Sequence, residues 1–355
     1  VKTNFWQNIT KPILGLSPMD GVTDQPYRYI QKKYGNPALI YTEFTNVEGV
    51  CHGALKLLND FIFDETQRPI IAQIYGTTPE YFRQTTIILC ELGFDGIDIN
   101  MGCPAKSVDN SGSGAALIKT PKLAQEIIKA TKQGVEDFNN GLRAKDCLDI
   151  SNKIVEEVEK RHKLLPKEYQ NQREIPVSVK TRVGYHKPIV EEWIPTLLEM
   201  EPAAIALHGR TLKQQYSGQS NWDEIHKAAK LCKKAGVPIL GNGDVTEFDQ
   251  VQEYVDKYEV DGILIGRGSF GNPFAFQPNS QKLLKENNIF EIALEHCKLF
   301  EETYSHEGKY HFMPMRKHLG WYVKSIPRAK EVRVELFKTN NAAEVEAVFK
   351  KFDLI

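Results

Sequence analysis

Eight short apolar runs, each ending in small or polar residues, govern what this chain can fold into. They are Ile13–Met19, Ala38–Phe44, Pro69–Gly76, Gly96–Gly102, Pro176–Gly184, Ala204–Arg210, Pro238–Asp244 and Gly262–Gly268. Between most of them lie stretches of helical periodicity, such as Pro79–Leu92, Lys122–Lys132, Val190–Met200 and Trp222–Ala235. The runs start about every 25 to 34 residues, the size of a βα unit. Near-continuous apolar strands must be covered on both faces, so their alternation with helices calls for a parallel sheet sheathed by helices. Eight such units predict a closed (β/α)8 TIM barrel rather than an open sheet.

One crossover breaks the rhythm. From Gly96 to Pro176 is about 80 residues, roughly 40 more than the neighbouring units use. The excess, near 134–174, is rich in lysine and glutamate and predicts a helix over Ser151–Leu165, capped by Ser151 or Asn152. It reads as an exposed helical insertion outside the barrel, with a partner- or RNA-contacting arm as the other reading. After Phe276 only helical patterns remain: Asn288–His306, Phe312–Lys324 and Ala342–Phe352. A barrel domain over 1–277 is therefore expected to pass, through the turn-rich Pro278-Asn279-Ser280, into a small all-helical domain over 282–355.

The totals exclude several classes. A formal net charge of -1 over 355 residues rules out a uniformly basic nucleic-acid binder but leaves room for a local basic face. No apolar run approaches the roughly 18 residues of a membrane span. Val1-Lys2-Thr3-Asn4-Phe5-Trp6 lacks the apolar core of a signal peptide, so a cytoplasmic protein is expected. The six cysteines include no C-x-x-C pair, which argues against a disulfide framework or a metal site. No membrane or metal partner is expected, and a monomer is.

Chemistry in such a barrel belongs at the C-terminal ends of the strands. Read in order, these ends carry Ser17-Pro18-Met19-Asp20, Glu43, Gln73, Asn100 and Cys103, Lys180 and Arg182, His208 and Arg210, Asn242-Gly243-Asp244 and Gly266-Arg267-Gly268. Polar groups from nearly every strand thus converge on one mouth. The last two loops are flanked by glycines, which let backbone N–H groups close on an anion. With Arg267 between two of them, phosphate is favoured over ordinary tight turns. Lys180 and Gln73 suit the polar edge of a planar cofactor, where a cation stabilises the negative charge a flavin acquires on reduction. Gly102-Cys103-Pro104 presents a thiol at the end of the fourth strand, either as packing or as chemistry. Glu43 and Glu48 read as residues that shape the mouth, and Trp193 and Trp222 as packing aromatics.

Together these motifs resemble those of the tRNA-dihydrouridine synthases, flavin-dependent barrel enzymes of bacteria and eukaryotes. The resemblance runs through Ser17–Asp24, Ala72–Gly76, Ile99–Pro104, Ser113–Leu117, Val179–Gly184, His208–Thr211, Tyr216–Gly218, Gly241–Asp244 and Gly266–Gly268, most of the chain. Arg316-Lys317-His318-Leu319-Gly320-Trp321-Tyr322 is similar to the bacterial branch. The resemblance implies tightly bound FMN, with Pro18, Met19 and Asp20 along its ring and Gln73 and Lys180 on its polar edge. Asn242, Gly243, Asp244, Gly266 and Arg267 would hold its phosphate. Asn100, Arg182 and His208 would face a uracil, His208 also reaching the cofactor. Cys103 would be the general acid and NADPH the reductant.

Hydride delivery to carbon 6 of a uracil leaves carbon 5 in need of a proton. A thiol with an ordinary pKa near 8.5 is about 97% protonated at pH 7, so it serves as an acid without activation. Cys103 is therefore expected not to be poised as a thiolate. Ser107–Leu117 reads as a lid hinged at Gly112 and Gly114, or as a fixed turn. For the tRNA partner, basic residues gather at Lys309, Arg316, Lys317, His318, Lys324, Arg328, Lys330, Arg333 and Lys338, interleaved with Tyr310, His311, Trp321 and Tyr322. Arg316 and Lys317 are the substrate contacts singled out. The competing reading is an amphipathic helix with Trp321 and Tyr322 packed inward. Two rival functions share the barrel: a free-pyrimidine FMN oxidoreductase resembling dihydroorotate dehydrogenase, and an RNA-binding protein without turnover.

Overall fold

A computed structural model describes residues 4–305 and 311–355. Lys309, Tyr310 and the end of the helix expected to reach His306 lie outside the described residues. Eight parallel strands close in sequence order: β1 (Ile13–Leu16), β2 (Leu39–Asn46), β3 (Ile70–Tyr75), β4 (Gly96–Met101), β5 (Val177–Arg182), β6 (Ile205–His208), β7 (Ile239–Asn242) and β8 (Gly262–Ile265). Closure is made by β1, where Leu16 pairs with Ile40 of β2 and with Ile265 of β8. The (β/α)8 barrel expected from the spacing is the fold observed.

The interior follows from a period of two. Side chains two apart on a strand share a face, and the inward row changes character along the barrel axis. Ile13, Leu39, Tyr41, Ile71, Ala204, Ala206, Leu240 and Leu264 make an apolar floor against Trp6. One step further towards the C-terminal ends, the same row delivers Gln73, Asp98, Asn100, Lys180, His208 and Asn242. The apolar floor excludes water from below, so the polar side chains open towards a single mouth.

Among the described residues the helices are α1 (Phe5–Asn8), α2 (Gln25–Ile30), α3 (Val47–Cys51), α4 (Pro79–Glu91), α5 (Lys106–Asn110), α6 (Pro121–Asn139), α7 (Asn152–Leu164), α8 (Val190–Leu198), α9 (Trp222–Ala235) and α10 (Val251–Tyr258), followed by α11 (Ser280–Glu286), α12 (Ile289–Tyr304), α13 (Met313–Tyr322), α14 (Ala329–Leu336) and α15 (Ala342–Lys351). Pro at the start of α4 and α6 is in its favoured first-turn place, where its missing N–H costs nothing. Helix α6 runs seven residues beyond Lys132, so the extra polar segment begins only after Asn139. Ser151 is the N-cap residue of α7, but its side chain makes no capping bond.

The inserted segment is fastened to the barrel rather than projecting from it. Ile154 and Val158 of α7 are buried. Glu91 accepts from the Ala144 amide at 2.8 Å, and Gln84 bonds Asp149 through both its amide nitrogen and its amide oxygen. Buried Arg173 donates to the carbonyls of Cys90 and Gly93.

The C-terminal helices build their own core from Phe290, Cys297, Met315, Leu319, Val332, Leu336, Val345 and Phe349. Two of them were not expected as helices: α11 starts inside the expected linker, and α14 falls between the expected helices Phe312–Lys324 and Ala342–Phe352. Charge and turn residues dominate there, and only Val332 and Leu336 of α14 reach the core, too few to set a period. The joint with the barrel is close. Trp321 stacks on Phe270 with ring centroids 3.9 Å apart, and Glu295 takes hydrogen bonds from Lys33 and Tyr34, both at 2.6 Å.

Helix α6 crosses α4 at Gly134, where a β-carbon would come within 2.4 Å of the Arg83 carbonyl oxygen and 2.8 Å of Thr86 Cβ. Gly134→Val is expected to lower stability by about 1–3 kcal/mol through forced separation of the two helices, read as a shifted denaturant midpoint.

Candidate active site

The mouth is built on a buried polar chain. Ser178 Oγ donates to Asp98 at 2.6 Å, and Gln73 Nε2 donates to the other Asp98 oxygen at 2.7 Å. Asn100 Nδ2 donates to Gln73 Oε1 at 2.9 Å. Asn100 Oδ1 then accepts the amides of Gly102 at 3.0 Å and Cys103 at 2.9 Å, an Asx-type turn that bends the chain at the end of β4. Burial raises the Asp98 carboxyl to about 6, against the pull of Ser178, Gln73 and Lys180.

Cys103 sits at the end of this chain and is only 8% exposed. Burial pushes its thiol above the ordinary range; the Ala105 backbone N–H opposes this, the negative charge of Asp20 adds to it, and Arg182 and Lys180 act in the opposite sense. The thiol stays protonated, as expected of an acid and unlike a nucleophile. Arg182 Nε donates to the Gly102 carbonyl at 2.6 Å and its Nη1 to Thr211 O at 3.1 Å, so it holds the thiol turn from the opposite side. In this arrangement the side chains of Asn100 and Arg182 are committed to the turn.

The opposite corner is basic. Lys180 Nζ donates to Asn242 Oδ1 at 3.1 Å, and Asn242 Nδ2 to Leu264 O at 2.8 Å. Burial, followed by the charge of Arg182, lowers the Lys180 ammonium to about 8. Burial and the surrounding Arg182, Lys180, Arg210 and Arg267 drive His208 well below its usual range, so its imidazole is neutral. Gly243 takes a φ of +122°, and a β-carbon on it would lie 2.3 Å from Ser220 Oγ and 3.0 Å from His208 Cδ2. Only glycine fits there. On Gly266 a β-carbon would reach 3.4 Å from Met19 Sδ and 3.6 Å from Ser17 Cβ, closing the gap between the first and last strand ends.

Three residues to which the sequence reading gave no binding role hold this corner. Arg210, 2% exposed, donates to both Asp244 oxygens at 2.7 and 2.9 Å and to Gly218 O at 2.6 Å. Its Nε is buried without a partner. The Ser220 amide donates to Asp244 at 2.6 Å, and Trp222 Nε1 donates to Gly243 O at 2.9 Å. Trp222, expected only to pack, thus also positions a glycine loop. The Asp244 carboxylate is an acceptor already taken by Arg210 and Ser220 and lies 3.6 Å from Arg267, so it orders the cations and cannot itself donate to an anion. Arg210 was visible as a strand-end residue, but its partners lie up to 34 residues away in sequence.

A third side is acidic. Arg28, wholly buried, donates to Gln67 Oε1 and to the carbonyls of Thr23 and Ile62. Around it, burial raises Asp24 to about 6, Asp60 to about 6 and Glu43 to about 8, and raises Asp20 as well. Into this side comes Lys317 from α13: a β-carbon on Gly21 would lie 3.1 Å from its Nζ, and its charge opposes the rise at Asp20 and Asp24.

The rest of the basic motif diverges from Lys317. Arg316 is turned away, donating to Thr339 O at 3.2 and 3.1 Å and to Asn340 Oδ1 at 3.0 Å, a clamp within the helical region. His318 is buried against Tyr27 and His296, and burial drives it well below its usual range, so it is neutral and does not count among the cations. Tyr322 is buried and Trp321 covers Phe270, so the inward-packing reading of these two aromatics holds.

The fold and the mouth define a (β/α)8-barrel protein with a protonated thiol and a corner of cations at the C-terminal ends of its strands. The family model described as dihydrouridine synthase (Dus) matches residues 15–159 and 154–353. Curated relatives include the "Probable tRNA-dihydrouridine synthase" of Staphylococcus aureus (strain COL), 33% identical over 359 residues and covering 99% of this chain and 97% of that protein. The "Probable tRNA-dihydrouridine synthase 2" of Bacillus subtilis (strain 168) is 33% identical over 356 residues, with the same coverage. A solved old yellow enzyme from Trypanosoma cruzi is a more distant likeness, with a TM-score of 0.44 and 12% identity over 76% of this chain and 88% of that one. The chain belongs to the dihydrouridine synthase family, and it is an oxidoreductase.

Arg210→Met should cost about 1–3 kcal/mol, because it removes charge-assisted hydrogen bonds to the Asp244 carboxylate and the Gly218 carbonyl. The added change Asp244→Asn should recover part of that loss in a double-mutant cycle of denaturant midpoints.

Proposed function

We propose that this chain reduces a uridine of tRNA to 5,6-dihydrouridine, with FMN as resident cofactor and NADPH as its reductant. The observation that carries the reading is the pairing in one mouth of a buried, protonated thiol with a corner of four cations around a neutral histidine. That corner fits the phosphate and polar ring edge of FMN. A β-carbon on Gly266 would narrow the gap beside Met19 and Ser17, the Gly243 turn is held tight against Ser220, and Arg210 keeps a buried donor without a partner. Asn242, Gly243, Gly266 and Arg267, with the backbone of Asp244, would hold the phosphate. Pro18, Met19 and Asp20 would line the ring. Lys180 would meet the polar edge, with Gln73 on the same side. When bound, FMN supplies the hydride from N5 to uracil carbon 6.

The remaining work falls to the chain's own residues. Cys103 donates the proton to carbon 5, and burial keeps it loaded at neutral pH. Asn100 and Arg182 hold the thiol turn and border the base. His208, being neutral, hydrogen-bonds without repelling the cations beside it. The target base must leave the RNA stack to enter the mouth, and Lys317, on the acidic rim, is placed to take a phosphate next to it. The names of the relatives favour tRNA over a free pyrimidine, and the set of strand-end groups favours turnover over binding alone.

Cys103→Ala should lower turnover by about 100- to 10,000-fold while the purified protein stays yellow. Normal reduction of tRNA by that variant would remove Cys103 from the mechanism. With the thiol raised by burial, loss of its proton should not limit turnover at neutral pH; the first alkaline fall should come near pH 8, as Lys180 loses the charge it brings to the cofactor edge, with the Cys103 proton lost only above that. Lys317→Ala should raise KM for tRNA and reduce the slope of log affinity against log salt by about 1, with little loss of stability. Arg316→Ala should chiefly destabilise the helical region, which separates the two neighbours experimentally.

A further inference from the structure

The loop that carries Cys103 is gripped along its length by the end of β5. At its start, Thr181 Oγ1 donates to Met101 O at 3.0 Å and Arg182 to Gly102 O at 2.6 Å. In its middle, the hydroxyl of Tyr185, three residues beyond β5, lies 2.9 and 2.8 Å from the two oxygens of Asp109, on α5. At its far end, Lys119 Nζ lies over the Tyr185 ring, 4.1 Å from the centroid. Tyr185 is itself braced: its carbonyl accepts the Lys213 amide at 3.1 Å, Lys213 Nζ lies 5.6 Å from its ring centroid, and His186 meets the ring edge-on at 4.6 Å.

These grips bear directly on the thiol. After α5 the chain folds back over Cys103: Ala115 N donates to Cys103 O at 3.3 Å, and Gly114, at φ +60°, would place a β-carbon 3.3 Å from Cys103 Cβ. The wall that buries Cys103 is therefore the returning half of the loop, and α5 is tied to the barrel by Asp109. A tyrosine hydroxyl on a carboxylate is a charge-assisted bond, among the stronger kinds available to a surface loop.

We propose that Tyr185 and Asp109 are positioning residues, a latch that holds the thiol-bearing loop closed and keeps Cys103 covered and aimed into the mouth. Its catalytic consequence rests on the reading of Cys103 as the acid; its structural consequence does not. The purified full-length protein, with whatever cofactor it retains, is treated with iodoacetamide, and alkylation is followed separately at Cys103 and Cys147 by peptide mass spectrometry. Cys147, partly exposed on the inserted segment, reports general loosening.

Tyr185→Phe and Asp109→Ala should each raise the Cys103 rate about 10- to 100-fold and leave the Cys147 rate unchanged. Asp109→Asn, which keeps one acceptor oxygen, should fall between them and the wild type. The double variant Tyr185→Phe with Asp109→Ala should go no further than either single change, because both remove one bond. Turnover should fall in the same order. An unchanged Cys103 rate in both single variants, or a rise shared equally by Cys147, overturns the latch. Since alkylation needs no RNA, a fully active Cys103→Ala variant would sink the acid role and leave this outcome to be read on its own.

Discussion

The reactive turn depends on one amide oxygen. Asn100 Oδ1 accepts the backbone N–H groups of both Gly102 and Cys103, and through Gln73, Asp98 and Ser178 this contact is anchored in the barrel interior. In a low-dielectric interior such a chain is all or nothing: satisfied, it fixes one geometry, and with one member missing it leaves several buried groups without partners. The apolar floor below makes this possible, because it denies water to the chain from beneath. Cys103 thus inherits its position from side chains on β3, β4 and β5 rather than from its own loop alone.

The mouth also separates charge by side. Lys180, Arg182, Arg210 and Arg267 gather at the ends of β5 to β8, while Asp24, Glu43 and Asp60 gather around Arg28 near the β1 and β2 ends, with Asp20 beside Lys317. A chain of net charge -1 can therefore hold an anion in one corner without global attraction for polyanions. Burial is the largest influence on each of the shifted groups discussed, and it always favours the neutral form. It keeps the thiol protonated, His208 neutral and Glu43 raised to about 8. The basic groups are ordered by Asp244, whose backbone rather than carboxylate is suited to an anion.

The helical region completes the rim. Stacking of Trp321 on Phe270 and burial of His318 and Tyr322 set α13 against the barrel, and that placement brings Lys317 to Gly21. Arg316, next to it in sequence, points into the helical region because neighbours on a helix diverge by about 100°. A basic motif that reads as one surface is therefore divided among a clamp, a mouth cation and the joint between the helical region and the barrel.

Much of this was legible in the sequence. Spacing, apolar continuity and glycine placement determine the closed barrel, the strand ends that bear chemistry, the thiol at the end of β4 and the glycine corner, because period and turn chemistry are local properties of the chain. Helices α11 and α14 were not, since few of their residues reach a core and no apolar period marks them. Nor were the roles of Arg210, Ser220, Trp222, Tyr185 and Asp109. Each acts through a partner on another loop: Tyr185 meets Asp109 across 76 residues, and no local pattern encodes that meeting. What the sequence by itself determined is which groups stand at the mouth. Which of them are neutral, which are already engaged by a neighbour and which are free to meet a ligand was decided by tertiary structure, because burial and charge neighbours are set only when the barrel closes.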